Sequence, residues 1–401
     1  MFFSKSELAT VASPLSLIPK CEKCRLYTQC KSPKLKPSGK GKKKILIILD
    51  GITKKDDEQG QIGTGDAAVL FKRILRPFGI DYVEDCWVTA ASICRNPRVF
   101  PAQSEIERVI DSCRPNLINT ISDLNPEIII PAGSLALKSL LKYLWPKTGE
   151  DLTNQNRWAG WQIPSQALNT WVCPIYSPMS IEKENNPIYN FYLNKSIEGI
   201  AKLVGTRPWK QVPDWKKEIQ ILTDTDKTIE KLKQFKTKKA ISFDYETNCL
   251  KPDQTTGIIY ACSMSDGKET IAFPVRTPVI PYLTDILFDK NIKKSGWNIQ
   301  FEDRWTAAKF GRHVQGWDWD AMVNNHLIDT RDDINSLKFQ AFVRLGVPVY
   351  TDDTETYFEG DGGYGINRIN EVGWSRLLLY NGLDSLLENK ITKIQKKYLG
   401  M

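Results

Sequence analysis

The chain reads as an α/β protein of two domains, and three observations carry that reading. Residues 44–205 alternate short apolar runs with helical patterns. A proline-broken stretch follows at 206–217, and a second strand–helix–strand series opens near Glu218. At 401 residues the chain is also longer than one ordinary core accommodates.

The elements follow in order. KILIIL (44–49), CWVTA (86–90), EIIIP (127–131) and WVCPIY (171–176) are short apolar runs of the buried parallel-strand type. Between them, Ala68 to Leu75 and Ser134 to Leu144 repeat apolar residues at three and four, which predicts helices. Such alternation implies an open, doubly wound, mainly parallel sheet. Pro208 and Pro213 mark 206–217 as a linker, because proline breaks helix and ladder alike. Beyond it, EIQIL predicts a strand, Ile229, Leu232 and Phe235 an amphipathic helix, and AISFDYET a second strand. Tyr350–Gly373 is acidic and Gly-rich, the composition of a surface loop. The expected domains are therefore 1–205 and 218–401.

Composition narrows the function classes. No apolar run approaches the roughly 18–20 residues that span a bilayer, and the N-terminus lacks the basic start and long apolar core of a signal peptide. An intracellular, cytoplasmic protein is expected, whose nine cysteines do not form a disulfide framework. Residues 1–205 hold 27 Lys/Arg against 20 Asp/Glu, and the remainder 28 against 27. A basic first half implies attraction for a polyanion.

Three segments of the second half carry chemistry. In Phe243-Asp244-Tyr245-Glu246, the two carboxylates share one face of a strand and Tyr245 points away. Asn298-Ile299-Gln300-Phe301-Glu302-Asp303 leads into a helical stretch; Glu302 and Asp303 are adjacent candidates that differ by one residue of spacing, and a helix starting at Asp303 would direct that carboxylate inwards. Tyr380 and Asp384 are four apart in LLLYNGLDSLLENKI and share a helical face. Oxygen ligands gathered this way suit Mg²⁺ or Mn²⁺.

These segments, with DAMVNNHLIDTRDDINSLK (320–338), resemble the three motifs of the proofreading domain of family A DNA polymerases. That domain is a ribonuclease H-like, mixed-sheet 3′-to-5′ exonuclease, in the subgroup with a tyrosine in its third motif. The resemblance implies that Asp244, Glu246, Asp303 and Asp384 hold two metals and that Tyr380 orients the attacking water, with Asn298 contacting DNA. Neither His313 nor His326 is needed as a base. Only 17 residues follow Asp384, so the expected polymerase partner is a separate polypeptide, as in a phage replisome. The expected substrate is DNA with a single-stranded or frayed 3′ end.

In the first half, Cys21 and Cys24 form a Cys-x-x-Cys, with Cys94 and Cys113 far downstream. Four such thiolates suit either zinc or an iron–sulfur cluster. Cys30, Cys86, Cys173, Cys249 and Cys262 fall outside that pattern and read as structural. CEKCRLYTQC, GTGDAAVLFKRIL, DCWVTAASICRN and PIYSPMSI together resemble an iron–sulfur uracil-DNA glycosylase of family 4. The resemblance implies a 4Fe–4S cluster on Cys21, Cys24, Cys94 and Cys113. The catalytic pocket departs from that family: Asp50-Gly51-Ile52-Thr53 replaces its Gly-Glu-Ala-Pro-Gly loop. Ala90 stands where an asparagine would read uracil, and Ser177 where a histidine belongs. Base excision needs groups that bond the flipped base and its leaving anion, so this domain is expected to be catalytically inactive. Lys40, Lys42, Lys43 and Lys44, with Arg95 and Arg98, are its candidate DNA contacts. Two other readings use the same motifs: a repair enzyme joining uracil excision to end trimming, and a non-catalytic replisome scaffold.

Overall fold

Runs of Ile, Val and Leu too apolar to face water on either side become the centre of a first sheet. The computed structural model describes residues 19–97, 102–147, 151–184, 186–254, 256–350, 354–360 and 365–401. Strand β1 (Ile45–Leu49) is buried at all five positions. It lies parallel between β2 (Cys86–Ala90) and β3 (Ile128–Ala132), with Ile45 opposite both Cys86 and Ile128. Strand β5 (Thr170–Val172) adds in parallel to β3, and β4 (Ile163–Ser165) closes the edge in antiparallel fashion. The order is β2-β1-β3-β5-β4. Helices Asp66–Leu75 and Ser134–Leu144 form where the three–four pattern predicted them.

The second sheet runs in the order β11 (Trp317–Asp320), β10 (Lys293–Gly296), β7 (Ala240–Thr247), β8 (Ile259–Ser265), β9 (Thr270–Pro274) and β6 (Ile219–Ile221). Its long strand β7 pairs antiparallel with β8, which pairs antiparallel with β9. On the other side β10 and β11 continue in parallel, and β6 flanks β9. One face buries Phe243, Tyr245, Met264 and Phe273 against Leu232, Phe235 and Leu283. The other face carries the 25-residue helix Trp374–Tyr398, which crosses β6 through β10. Gly382 permits that approach: a Cβ there would stand 2.5 Å from Ile219 Cγ2.

Contacts divide the chain into two units, Met1–Val212 with Phe342–Pro348, and Pro213–Ala341 with Val349–Met401. Phe342 belongs with the first because its ring lies 4.6 Å from Trp145 and 6.0 Å from Trp158. The acidic stretch Tyr350–Gly373 carries a helical turn at Glu355–Phe358 and another at Ile369–Glu371. No helix among the described residues is long and apolar enough to cross a membrane.

Candidate active site

Strand pleat and helix phase converge on one cluster in the second unit. Asp244 and Glu246 leave β7 on the same face and meet Asp384 from the helix Trp374–Tyr398. One carboxylate oxygen from each lies within 4.8 Å of the others. Asn381, three residues before Asp384, ties the pair together. Its Nδ2 donates to Asp244 Oδ2 at 2.7 Å and to Glu246 Oε1 at 3.5 Å. Ser263 holds that helical turn by donating to the Asn381 carbonyl at 2.7 Å.

Crowding acids in a dry place moves their protonation. Burial, and then Asp384, pushes Asp244 well above the usual carboxylate range. Burial, Asp244 and Asp384 do the same to Glu246, and the Lys338 ammonium opposes both shifts. A divalent ion would reverse this logic, since it is itself the largest local charge.

Asp303 is not part of the cluster, against expectation. Its Oδ2 lies 2.7 Å from His313 Nδ1, while Oδ1 accepts from the Val314 amide at 2.9 Å and Trp317 Nε1 at 3.2 Å. The carboxylate thus braces the loop after its own helix. That helix starts at Gln300, three residues earlier than expected, so its phase turns Glu302 inwards. Glu302 is buried, and its pKa is raised by burial and then by Asp244. Among the described residues its Oε2 has no hydrogen-bond partner. Glu302, Trp305 and Thr306 are buried on one face of this helix and Asp303 is off it; the three-residue spacing of Glu302 from Trp305 is the signal the sequence offers.

Tyr380 sits one turn before Asp384, its ring 5.1 Å from Phe358 and 5.9 Å from Tyr350. Burial, then Asp384, holds its hydroxyl neutral well above the usual tyrosine range. Three neighbours escaped the sequence reading. Lys338 pairs with Asp384 Oδ2, and the Tyr350 hydroxyl donates to Oδ1 at 2.5 Å. Glu388 lies a turn beyond Asp384, accepts from Thr392 and Ser295, and is pushed by burial to a pKa of about 7. Asn298 is half-buried in a left-handed turn (φ 64°), its amide bonded to Asp320 Oδ1 at 3.2 Å.

The first unit holds a cavity lined by cysteines. Cys21, Cys24, Cys94 and Cys113 line one cavity of 310 Å³ with Leu26 and Val109. The Lys34 amide donates to Cys94 Sγ at 3.3 Å, and the Ile93 amide donates to Cys113. Burial pushes Cys94 to about 12 and Cys113 to about 11, so both are protonated until a metal displaces their protons. Cys30 stands beside them, packed against Leu26, Cys94 and Val109. Four soft sulfurs around one cavity, with backbone amides aimed at two of them, fit a thiolate-ligated metal centre.

The lysine run is a folded strap laid beside β2. Amides of Lys40, Lys42 and Lys43 bond to carbonyls of Val83, Glu84 and Asp85. Gly41 (φ 63°) lets the strap lie on Trp87, whose ring a Cβ would strike. Each cation is then matched: Lys40 and Lys42 with Glu84, Lys43 with Asp85, Lys44 with Glu127. Arg95 lies 3.9 Å from Asp57, and Arg98 falls outside the described residues.

At the positions that depart from the glycosylase pocket, polar groups bond to the protein itself, and Ser177 also lines a cavity of 270 Å³ with Gln155 and Tyr176. Asp50 Oδ1 accepts from the Leu135 and Ala136 amides at 2.9 Å, capping the helix that starts at Ser134. Thr53 caps a helix with Asp56, Ala90 is buried, and the Ser177 amide donates to Gln155 Oε1.

Comparison with known proteins agrees with this division. Residues 217–357 match the family model of a 3′-5′ exonuclease, and residues 38–195 that of the uracil DNA glycosylase superfamily. The chain is 24% identical over 331 residues to a DNA polymerase of Bacillus phage SP01; the alignment covers 74% of this chain and 34% of that polymerase. The chain therefore spans about a third of that relative's length. Among solved structures, Mg²⁺-bound NrnC of Brucella melitensis is 19% identical with a TM-score of 0.34, covering 45% of this chain and 80% of NrnC. Escherichia coli RNase D, an exoribonuclease, is 15% identical with a TM-score of 0.36, covering 45% and 46%. The chain thus joins a uracil DNA glycosylase superfamily domain to a 3′-5′ exonuclease domain of the kind found in family A DNA polymerases.

Proposed function

We propose that this chain is a two-metal 3′-5′ DNA exonuclease that proofreads for a family A-type DNA polymerase. The observation that carries the reading is the meeting of Asp244, Glu246 and Asp384 at one point, with Glu302 buried beside them. Two elements far apart in sequence supply the three carboxylates, an arrangement hard to explain as packing because buried acids are costly.

These residues fit a pair of Mg²⁺ or Mn²⁺ ions. Asp244, Glu246, Asp384 and Glu302 would hold them, and the unpartnered Glu302 Oε2 is an oxygen without another use. Such ions lower the pKa of bound water and stabilise charge on the leaving oxygen. The chain's own part is placement. Asn381 fixes the strand carboxylates, and Tyr380 presents a neutral hydroxyl for a water above Asp384. Buried surroundings keep each of these dipoles oriented before substrate arrives.

The first unit serves as a grip on DNA or on the polymerase, with Cys21, Cys24, Cys94 and Cys113 holding a 4Fe–4S cluster. The side chains of Ala90 and Ser177 leave uracil excision without the groups that bond the flipped base. A 5′-labelled mismatched primer with Mg²⁺ tests the reading. Stepwise shortening that vanishes in Asp244→Ala/Glu246→Ala supports it; an intact primer, or shortening that persists, refutes it. Running an RNA primer in parallel decides the sugar preference.

A further inference from the structure

Asp384 has no free oxygen. Lys338 takes Oδ2 and the Tyr350 hydroxyl takes Oδ1. The ammonium is largely buried and lies 5.3 Å from the Tyr350 ring centroid and 4.6 Å from that of Tyr380. A buried ammonium is stable only while negative charge faces it. Here Asp384 supplies that charge, and Asp244 and Glu246 feel the same cation. A ligand that neutralises Asp384 therefore leaves Lys338 without its partner.

We propose that Lys338 is a positioning residue of the exonuclease site: its ammonium fills a cation place at Asp384, gives it up to a divalent ion, and then faces the substrate phosphate. The proposal rests on the nuclease reading above and adds a competitor to it. Lysine suits the task because its compact charge rides on a flexible stem, so release needs only side-chain rotation. The tyrosine faces of Tyr350 and Tyr380 provide a weak cation resting place along the way. Substrate completes the exchange by bringing an anion to where the carboxylate charge has been neutralised. The consequence is coupling: metal and Lys338 oppose each other at Asp384, and metal and phosphate assist each other.

The experiment is a Mn²⁺ titration of the full chain without DNA, followed by the resonance of free Mn²⁺. Lys338→Met is expected to bind Mn²⁺ about tenfold more tightly, at the low end of ordinary site coupling. At saturating Mn²⁺ the same variant is expected to cut in a single turnover about 10²-fold more slowly, as on losing one oriented charge. Tyr350→Phe frees an Asp384 oxygen without changing charge, so its gain in Mn²⁺ affinity is expected to be the smaller. Unchanged or weaker Mn²⁺ binding by a folded Lys338→Met overturns the proposal. Should that variant not fold, acetylation of Lys338 in the unaltered chain decides: labelling rises with Mn²⁺ if the ammonium is displaced, and no rise sinks the idea. Failure of the nuclease reading shows separately, as an unaltered chain that leaves the primer intact while both metal readouts still apply.

Discussion

The two units treat their buried polar groups in opposite ways. In the first, Asp50, Asp56 and Asp57 are spent on structure: each accepts backbone amides that cap a helix or pin a loop. In the second, Asp244, Glu246 and Glu302 crowd one another, Asp244 raising the proton affinity of the other two, and among the described residues one Glu302 oxygen has no partner. A fully bonded acid resists a ligand, whereas a crowded one gains from a cation. The same contrast separates the cations. Lys40 to Lys44 are matched at the surface, where exposed pairs contribute little. Lys338 is buried against the acids that would bind metal. Chemistry resides where polar groups are left in tension.

Breaking that contrast begins with the strand carboxylates. Asp244→Ala/Glu246→Ala is expected to lower the primer-shortening rate by about 10⁴-fold or more, since the ligands act as a unit. Circular dichroism should show the fold retained. A rate that survives would place the chemistry outside this cluster.

The neighbouring acids sharpen it. Glu302→Gln is expected to cost about 10²-fold in rate. Asp303→Asn is expected to change the rate little and to lower stability by about 1–2 kcal/mol, through its bonds to Val314 and Trp317. Denaturant melts and single-turnover rates on the two variants check both halves, and the reversed ranking would restore Asp303 as ligand.

In the first unit, Cys21→Ser/Cys24→Ser is expected to abolish broad visible absorption and lower the first melting transition. Primer shortening should stay within about twofold, because no residue of the chemical cluster changes. A colourless protein that binds one zinc would keep the thiol site and replace the cluster assignment.

The smallest effect is on pH. Asp244, Glu246 and Glu388 bind protons more tightly folded than unfolded. Their contribution to stability is therefore full below the unfolded pKa, near 4, and is lost as pH rises through the folded value, about 7 for Glu388. The metal-free chain should thus melt lower at pH 8 than at pH 5, and Mn²⁺ should flatten the slope. A slope of the opposite sign, by scanning calorimetry with a chelator, would mean the acids are ionised and satisfied without metal.

Part of this molecule was written in local spacing. Asp244 and Glu246 are two apart on a strand, and Tyr380 and Asp384 four apart on a helix, so each pair had to share a face whatever surrounded it. Cys21 and Cys24 likewise span a single helical turn. What spacing could not decide was set by contacts between distant segments. Glu302 and not Asp303 turns inwards because the helix starts at Gln300, where Asp320 bonds the Asn298 and Ile299 amides just before it. Lys338 and Tyr350 reach Asp384 from 46 and 34 residues away, and the lysine strap found its acids only once laid along β2. Periodicity says which side chains travel together; only the packed chain says what they meet, because long-range partners are chosen by burial and shape rather than by neighbours in sequence.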